Sequence, residues 1–325
     1  MSKLYFPKVY RYEVHENLLF ISWQEYFQCF DFITGESQFK IDHGFWLLKV
    51  IDNKLFGQKK NGADILVYDL KGNLLHTING KFYLWKLIQD DKFLYFPGED
   101  EKNDRLGFRI DRATLSKTDR LEKYDNPKLI KNNLGFYWLA KTVYAYNIYT
   151  GETVWTYDLG QGHHPEPSFN YIHNEHLILT IDDGRLICLD TKNGKCVWQK
   201  NPNLSFYNMH PVNKNLYGFG SSFLFEVLNS QTGNVIVSKQ FPEMKAQFKN
   251  GFNAFLNCME EDGLYFTNLF GENKFGKLNI RSHKIEFVSD MDVKGDLLSP
   301  SFPHKNCYFA LDYNDNLHVI RPYIK

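Results

Sequence analysis

Arg185-Leu-Ile-Cys-Leu-Asp190-Thr-Lys-Asn-Gly194-Lys-Cys-Val-Trp198 decides the fold. An apolar run ends on Asp190, a Gly follows four residues later, and an apolar residue sits four beyond that Gly. In the hairpin this predicts, the Asp side chain closes the turn and Gly supplies a positive φ. The same phrase stands at Cys29-Phe-Asp31-Phe-Ile-Thr-Gly35, at Tyr146-Asn147-Ile-Tyr-Thr-Gly151 and at Leu228-Asn229-Ser-Gln-Thr-Gly233. Eight residues past each Asp or Asn stand Phe39, Trp155, Trp198 and Val237, apolar every time. We expect these residues, Trp155 and Trp198 above all, to pack between neighbouring repeat units.

Working outward, a shortened copy is Tyr68-Asp69-Leu-Lys-Gly72, and weaker ones fall at Asp111, Asn279 and Arg321. The markers at 31, 69, 111, 147, 190, 229, 279 and 321 are separated by 36 to 50 residues, about 41 on average. That is the length of one four-stranded propeller blade of the WD40 kind. In the fifth unit the strands are expected at 168–173, 176–181, 185–190 and 195–200. Ser168–His173 resembles Ser205–His210, and Phe45–Leu48 resembles Tyr83–Lys86, as pairs of first strands. The 243–251 stretch is the best place for an excursion from the β pattern. The expected fold is all-β, one domain over 1–325: an eight-bladed β-propeller. The final blade has three strands of its own, near 297–302, 306–311 and 316–321. Its outer strand is expected from the N-terminus near Lys3–Tyr10, which leaves no free blade edge. Seven blades are the alternative, if the third unit is misread.

The two strongest copies, ending at Trp155 and Trp198, resemble the PQQ-like repeat of quinoprotein-type propellers. That resemblance implies the propeller fold and an inter-blade role for the Trp. It does not imply a function, because the same fold carries enzymes, scaffolds and inhibitors. The quinone dehydrogenases of that superfamily carry an adjacent Cys–Cys pair and a calcium site. No Cys–Cys pair occurs here, so no catalytic residue is carried over and no cofactor is expected.

Composition narrows the partners. The chain of 325 residues has 38 Lys+Arg against 38 Asp+Glu. Zero net charge argues against nucleic acid, whose binding draws on phosphate neutralisation, and against a polybasic membrane anchor. No secretory leader and no apolar run near ~20 residues is visible. The five cysteines, with no CxxC, read as reduced and buried in a cytoplasmic chain. Aromatic residues make up 17%, far too many for a disordered segment.

No constellation reaches a catalytic signature. His163-His164-Pro-Glu166 could ligate a metal, but no third ligand is fixed by spacing, so no metal is assigned and the loop reads as a partner contact. His173 and His210 are expected to end equivalent inner strands. Asp312-Tyr-Asn314-Asp315-Asn316 begins like a calcium loop, but has neither the Gly nor the Glu such a loop needs, so it reads as a hairpin turn. Glu99–Arg105 reads as a solvated loop. Trp23 and Tyr26 lie in the turn between the second and third strands of blade one, where an exposed Trp would make a binding hot spot. Such turns and the blade-to-blade loops share one propeller face. The reading is therefore a non-catalytic module that binds a partner protein through that face, as a scaffold or an inhibitor such as an immunity protein. The alternatives are a hydrolase or oxidoreductase with a site at the central channel, and a small-ligand or glycan sensor.

Overall fold

Asp31 shows how each blade is built. Its Oδ1 accepts from Ile33 N at 2.7 Å and Thr34 N at 2.9 Å, and Gly35 N returns to the Asp31 carbonyl at 2.7 Å. Gly35 takes φ +83°, and a bulge shifts the strand register just before the turn. Asn147, Asp190 and Asn229 repeat these bonds with Gly151, Gly194 and Gly233. The weaker copies at Asp111 and Asn279 close the same side-chain turn without Gly: Leu115 and His283 hold φ +60° and +53° in its place. A second link recurs. The residue after the Asp or Asn donates its N–H to the turn between the first and second strands, as in Phe32 N to Asn17 O at 3.0 Å and Ser230 N to Lys214 O at 2.8 Å.

The computed structural model describes residues 3–59, 64–99, 105–121, 127–165, 170–201, 209–220, 222–248, 257–268, 274–290, 302–305, 307–312 and 314–320. The chain is an eight-bladed β-propeller, nearly all β, with antiparallel sheets. Blade one is Arg11–His15, Leu18–Ser22, Phe27–Asp31 and Ser37–Ile41, and blade two is Leu47–Ile51, Lys54–Gln58, Ile65–Asp69 and Leu74–Ile78. Blade five is Tyr171–His173, His176–Thr180, Leu186–Asp190 and Cys196–Lys200, and blade six is Met209–Val212, Asn215–Phe219, Leu224–Asn229 and Val235–Gln240. In the last blade Lys3–Phe6 pairs antiparallel with Leu317–Ile320, so the N-terminal strand supplies the outer edge as expected. Packing groups the chain into two compact units, one of 1–6, 138–143 and 156–325, the other of 7–137 and 144–155.

Aromatic content goes into the seams between sheets. Phe20, Phe27 and Phe45 of one seam, between blades one and two, are fully buried beside Leu55 and Tyr68. Phe219, Phe225, Leu264 and Phe266 fill the seam between blade six and blade seven, which is Asn257–Glu260, Gly263–Asn268, Lys274–Asn279 and Lys284–Asp290. Each such Phe contributes on the order of 1.5–3 kcal/mol of burial. Among the described residues no helix is long and apolar enough to cross a membrane. The excursion near 243 is one helical turn, Met244–Gln247, with Met244 buried.

Four expectations need correction. Tyr83–Lys86 is not a strand: Leu84–Lys86 form a 3-10 turn that splits the first strand of blade three into Lys81–Phe82 and Ile88–Gln89. Burial of Leu84 and the bond from Leu87 N to Leu84 O hold that turn. His173 and His210 are not equivalent. His173 faces His176 at the hairpin end, whereas His210 faces Tyr217, two residues short of the end pair Val212 and Asn215. Cys196 is exposed, while Cys29, Cys188 and Cys307 are buried and all four are free thiols; Cys196 stands on an outer strand, whose alternate residues face away from the seam. Glu99 is not simply solvated, since it accepts a hydrogen bond from the Tyr83 hydroxyl. Asp100–Asp104 and Ser205–Asn208 lie outside the described residues. Asp312 closes a hairpin turn, accepting from Asn314 N at 2.8 Å and Asn316 N at 3.0 Å.

Candidate functional site

The turn after the second strand of blade one is tight, with Trp23 N bonded to Tyr26 O at 2.9 Å. Trp23 stacks on Tyr26 with ring centres 4.6 Å apart, and its Nε1 donates to Pro7 O at 2.9 Å. Lys40 Nζ lies 4.4 Å from the centre of the Tyr26 ring. Both aromatics are half-buried, so Trp23 is a fixed wall rather than a free exposed anchor. The connection into blade two runs against this turn. A Cβ on Gly44 would lie 1.9 Å from Trp23 O, which leaves room for no other residue. Buried Ser22 then clasps the next backbone group: its Oγ donates to Phe45 O at 2.9 Å and accepts from Phe45 N at 2.6 Å.

These constraints shape a hollow of about 190 Å³ lined by Tyr10, Trp23, Gln24, Gly44, Phe45 and Trp46. Trp46 keeps 38% of its surface exposed. Its backbone is fixed by Trp46 N to Gln58 O at 2.7 Å and by Arg11 Nε to Trp46 O at 3.2 Å. The hollow is thus a rigid aromatic depression open to solvent. Gly44 carries no repeat signal, and Trp46, expected as part of a first strand at Phe45–Leu48, instead precedes the strand Leu47–Ile51; the place of both in a blade-to-blade connection is what marks them.

His163 and His164 lie in the other unit, in the connection leading to blade five. His163 Nδ1 is 3.4 Å from an oxygen of Asp182 and 3.4 Å from one of Asp183. His164 Nδ1 is 2.9 Å from the second Asp182 oxygen. Backbone pairing ties the loop to the Asp182–Gly184 turn: Asp182 N donates to His164 O at 3.0 Å, and Pro165 bridges Ile181. Arg185 Nε reaches Asp183 at 2.5 Å. Burial raises the Asp183 carboxyl, but hydrogen bonds from Arg185 and the charges of Arg185 and His163 bring it below its ordinary value. Glu166 lies outside the described residues. Trp155 and Trp198 are buried. Trp155 packs on Phe136 at 5.8 Å between ring centres, and Trp198 sits among Ile178, Cys188, Met209 and Leu228 of blades five and six.

With this geometry in view, the likenesses are specific for architecture. A family model described as outer membrane protein assembly factor BamB matches residues 140–216, the stretch holding the two strongest repeats. The BamB of Moraxella catarrhalis superposes with a TM-score of 0.60 at 9% identity, over 100% of this chain and 98% of that one. The fold is a PQQ-like β-propeller. The computationally designed Ika8 protein superposes on this PQQ-like propeller at a TM-score of 0.64 and 12% identity, over 97% of this chain and 96% of that one. Sqt1 of Saccharomyces cerevisiae gives 0.59 at 11%, over 98% and 97%. No curated protein matches the sequence. At these identities the likeness speaks for the fold alone.

Proposed function

We propose that the protein is a non-catalytic interaction module, a scaffold or an inhibitor, that seats one apolar side chain of a partner protein in the hollow between Trp23 and Trp46. The observation that carries this reading is the hollow itself: rigid, aromatic and open. At about 190 Å³ it falls below the roughly 300–1,000 Å³ of small-ligand pockets. It suits a single partner side chain, and aromatic anchors of this kind dominate interface energetics. Supporting it is the likeness to a protein described as an assembly factor. We place the protein in the cytoplasm on its cysteine usage, an odd number with no CxxC pattern, which suits a reducing compartment. A photo-crosslinking residue tests the reading. Placed at Gln24, exposed on the rim, it captures the partner; placed at Val154, 49% exposed on an outer strand, it does not. Equal capture from both positions would contradict the assignment.

A further inference from the structure

We propose that His163, Asp182 and Asp183 bind a divalent transition ion of the zinc class, with His164 orienting the Asp182 carboxylate. Each of the three offers one donor atom, and these atoms all lie within 4.8 Å of one another. His163 Nδ1 stands 3.4 Å from an oxygen of each carboxylate. Four ligands at roughly 2.0–2.2 Å from a tetrahedral ion lie about 3.4 Å apart, so both separations match an edge of that coordination shell. They are long for hydrogen bonds, which cluster at roughly 2.7–3.2 Å. As a hydrogen bond, one imidazole N–H would have to be shared between two carboxylates in a three-centre arrangement, whereas an ion takes one donor from each group. The 2.9 Å contact of His164 Nδ1 with the other Asp182 oxygen is the outer-shell bond that holds a ligating carboxylate in place.

The frame is built before any ion arrives. Asp182 N bonds to His164 O at 3.0 Å and Gly184 N to Ile181 O at 2.8 Å, and Gly184 takes the φ of +86° that the turn requires. Charge favours a cation. Two carboxylates face one guanidinium, that of Arg185, so with neutral imidazoles the cluster is anionic. One imidazole and two carboxylates suit zinc better than calcium or magnesium, which take all-oxygen shells. With three protein donors the fourth position stays open to water or to a donor from outside the chain. The same Asp183 oxygen serves Arg185 at 2.5 Å, so guanidinium and ion compete for it.

The test uses the full chain without a polyhistidine tag, titrated calorimetrically with zinc chloride and spectroscopically with cobalt(II). We expect one ion per chain and the visible bands of four-coordinate cobalt. His163→Ala should weaken binding by more than about 100-fold, and His164→Ala by roughly 10–100-fold, as outer-shell losses do. Arg185→Gln should tighten it, because the Asp183 oxygen is released. Thermal melts check that each variant folds, and near-isosteric Asp182→Asn stands in should His163→Ala unfold. No saturable binding by the wild-type chain would overturn the proposal. So would zinc affinity unchanged in folded His163→Ala or Asp182→Asn.

Discussion

Trp198 of blade five lies against Gly233 of blade six. A Cβ on Gly233 would lie 2.8 Å from Trp198 Cδ2, and Trp198 Nε1 donates to Ser230 O at 3.0 Å. The turn of one blade is thus the floor on which the side chain of the preceding blade rests. Blade one does the same to blade two, where a Cβ on Gly72 would lie 2.5 Å from the Phe39 ring. In both turns Gly has two duties: a positive φ, and the absence of a side chain under a neighbour's ring.

Trp198→Ala should therefore cost about 3–5 kcal/mol, the range for emptying a large aromatic site. Trp198→Phe keeps most of the packing, loses the bond to Ser230 O, and should cost about 1 kcal/mol more than repacking alone. Gly233→Ala combines the left-handed backbone penalty of roughly 1–2 kcal/mol with displacement of the ring. Urea midpoints should order Trp198→Phe above Trp198→Ala.

Ser22 is fully buried and satisfies both Phe45 N and Phe45 O. Ser22→Ala leaves these groups unpaired, at about 1–3 kcal/mol. Because Phe45 and Trp46 line the hollow, the same variant should loosen it. The expected readout is a lower melting temperature with a red-shifted tryptophan emission.

Asp312 and His318 form a buried pair, with Nε2 and Oδ2 2.9 Å apart. Burial raises the Asp312 carboxyl, yet bonds from His318, Asn316 and Asn314 outweigh it and set its pKa at about 2, below the ordinary 3.8. A lowered carboxylate pKa adds stability above the unfolded value, lost as pH falls through the folded one. The contribution is thus whole above about pH 4 and fades toward pH 2, and its size is about 2 kcal/mol. Melting temperature against pH should fall more gently in this window for Asp312→Asn, from a lower plateau.

The blade framework was legible because Asp or Asn closing a turn, and Gly four residues later, are local requirements of one hairpin. Legibility weakened where Leu115 and His283 adopt positive φ without being Gly, since the packing of the blade then compels what the residue itself disfavours. The mistaken pairing of His173 with His210 came from matching side chains without register, which hydrogen bonding fixes. The sites were less legible still. Trp23 and Tyr26 were visible as turn residues, but Gly44 and Trp46 enter only because one connection crosses another turn closely. His163 meets Asp182 and Asp183 for the same reason: blade-to-blade loops and second-to-third-strand turns share an end of the sheet. That rule was available from the sequence, and it pairs this loop with this turn.

Gly44→Ala should abolish the hollow without dismantling the blades, because its Cβ collides with the Trp23 carbonyl and the connection must move. Circular dichroism should be near wild type, while partner binding falls as far as it does in Trp46→Ala.

The most direct test of the interaction reading is affinity capture from native lysate, run in parallel with the wild-type chain and with Trp46→Ala, each quantified by mass spectrometry. One stoichiometric protein is expected with the wild type, and its loss, by at least about tenfold, with Trp46→Ala, as for a central aromatic anchor. No partner with the wild type, or the same partner held equally by Trp46→Ala, would contradict it.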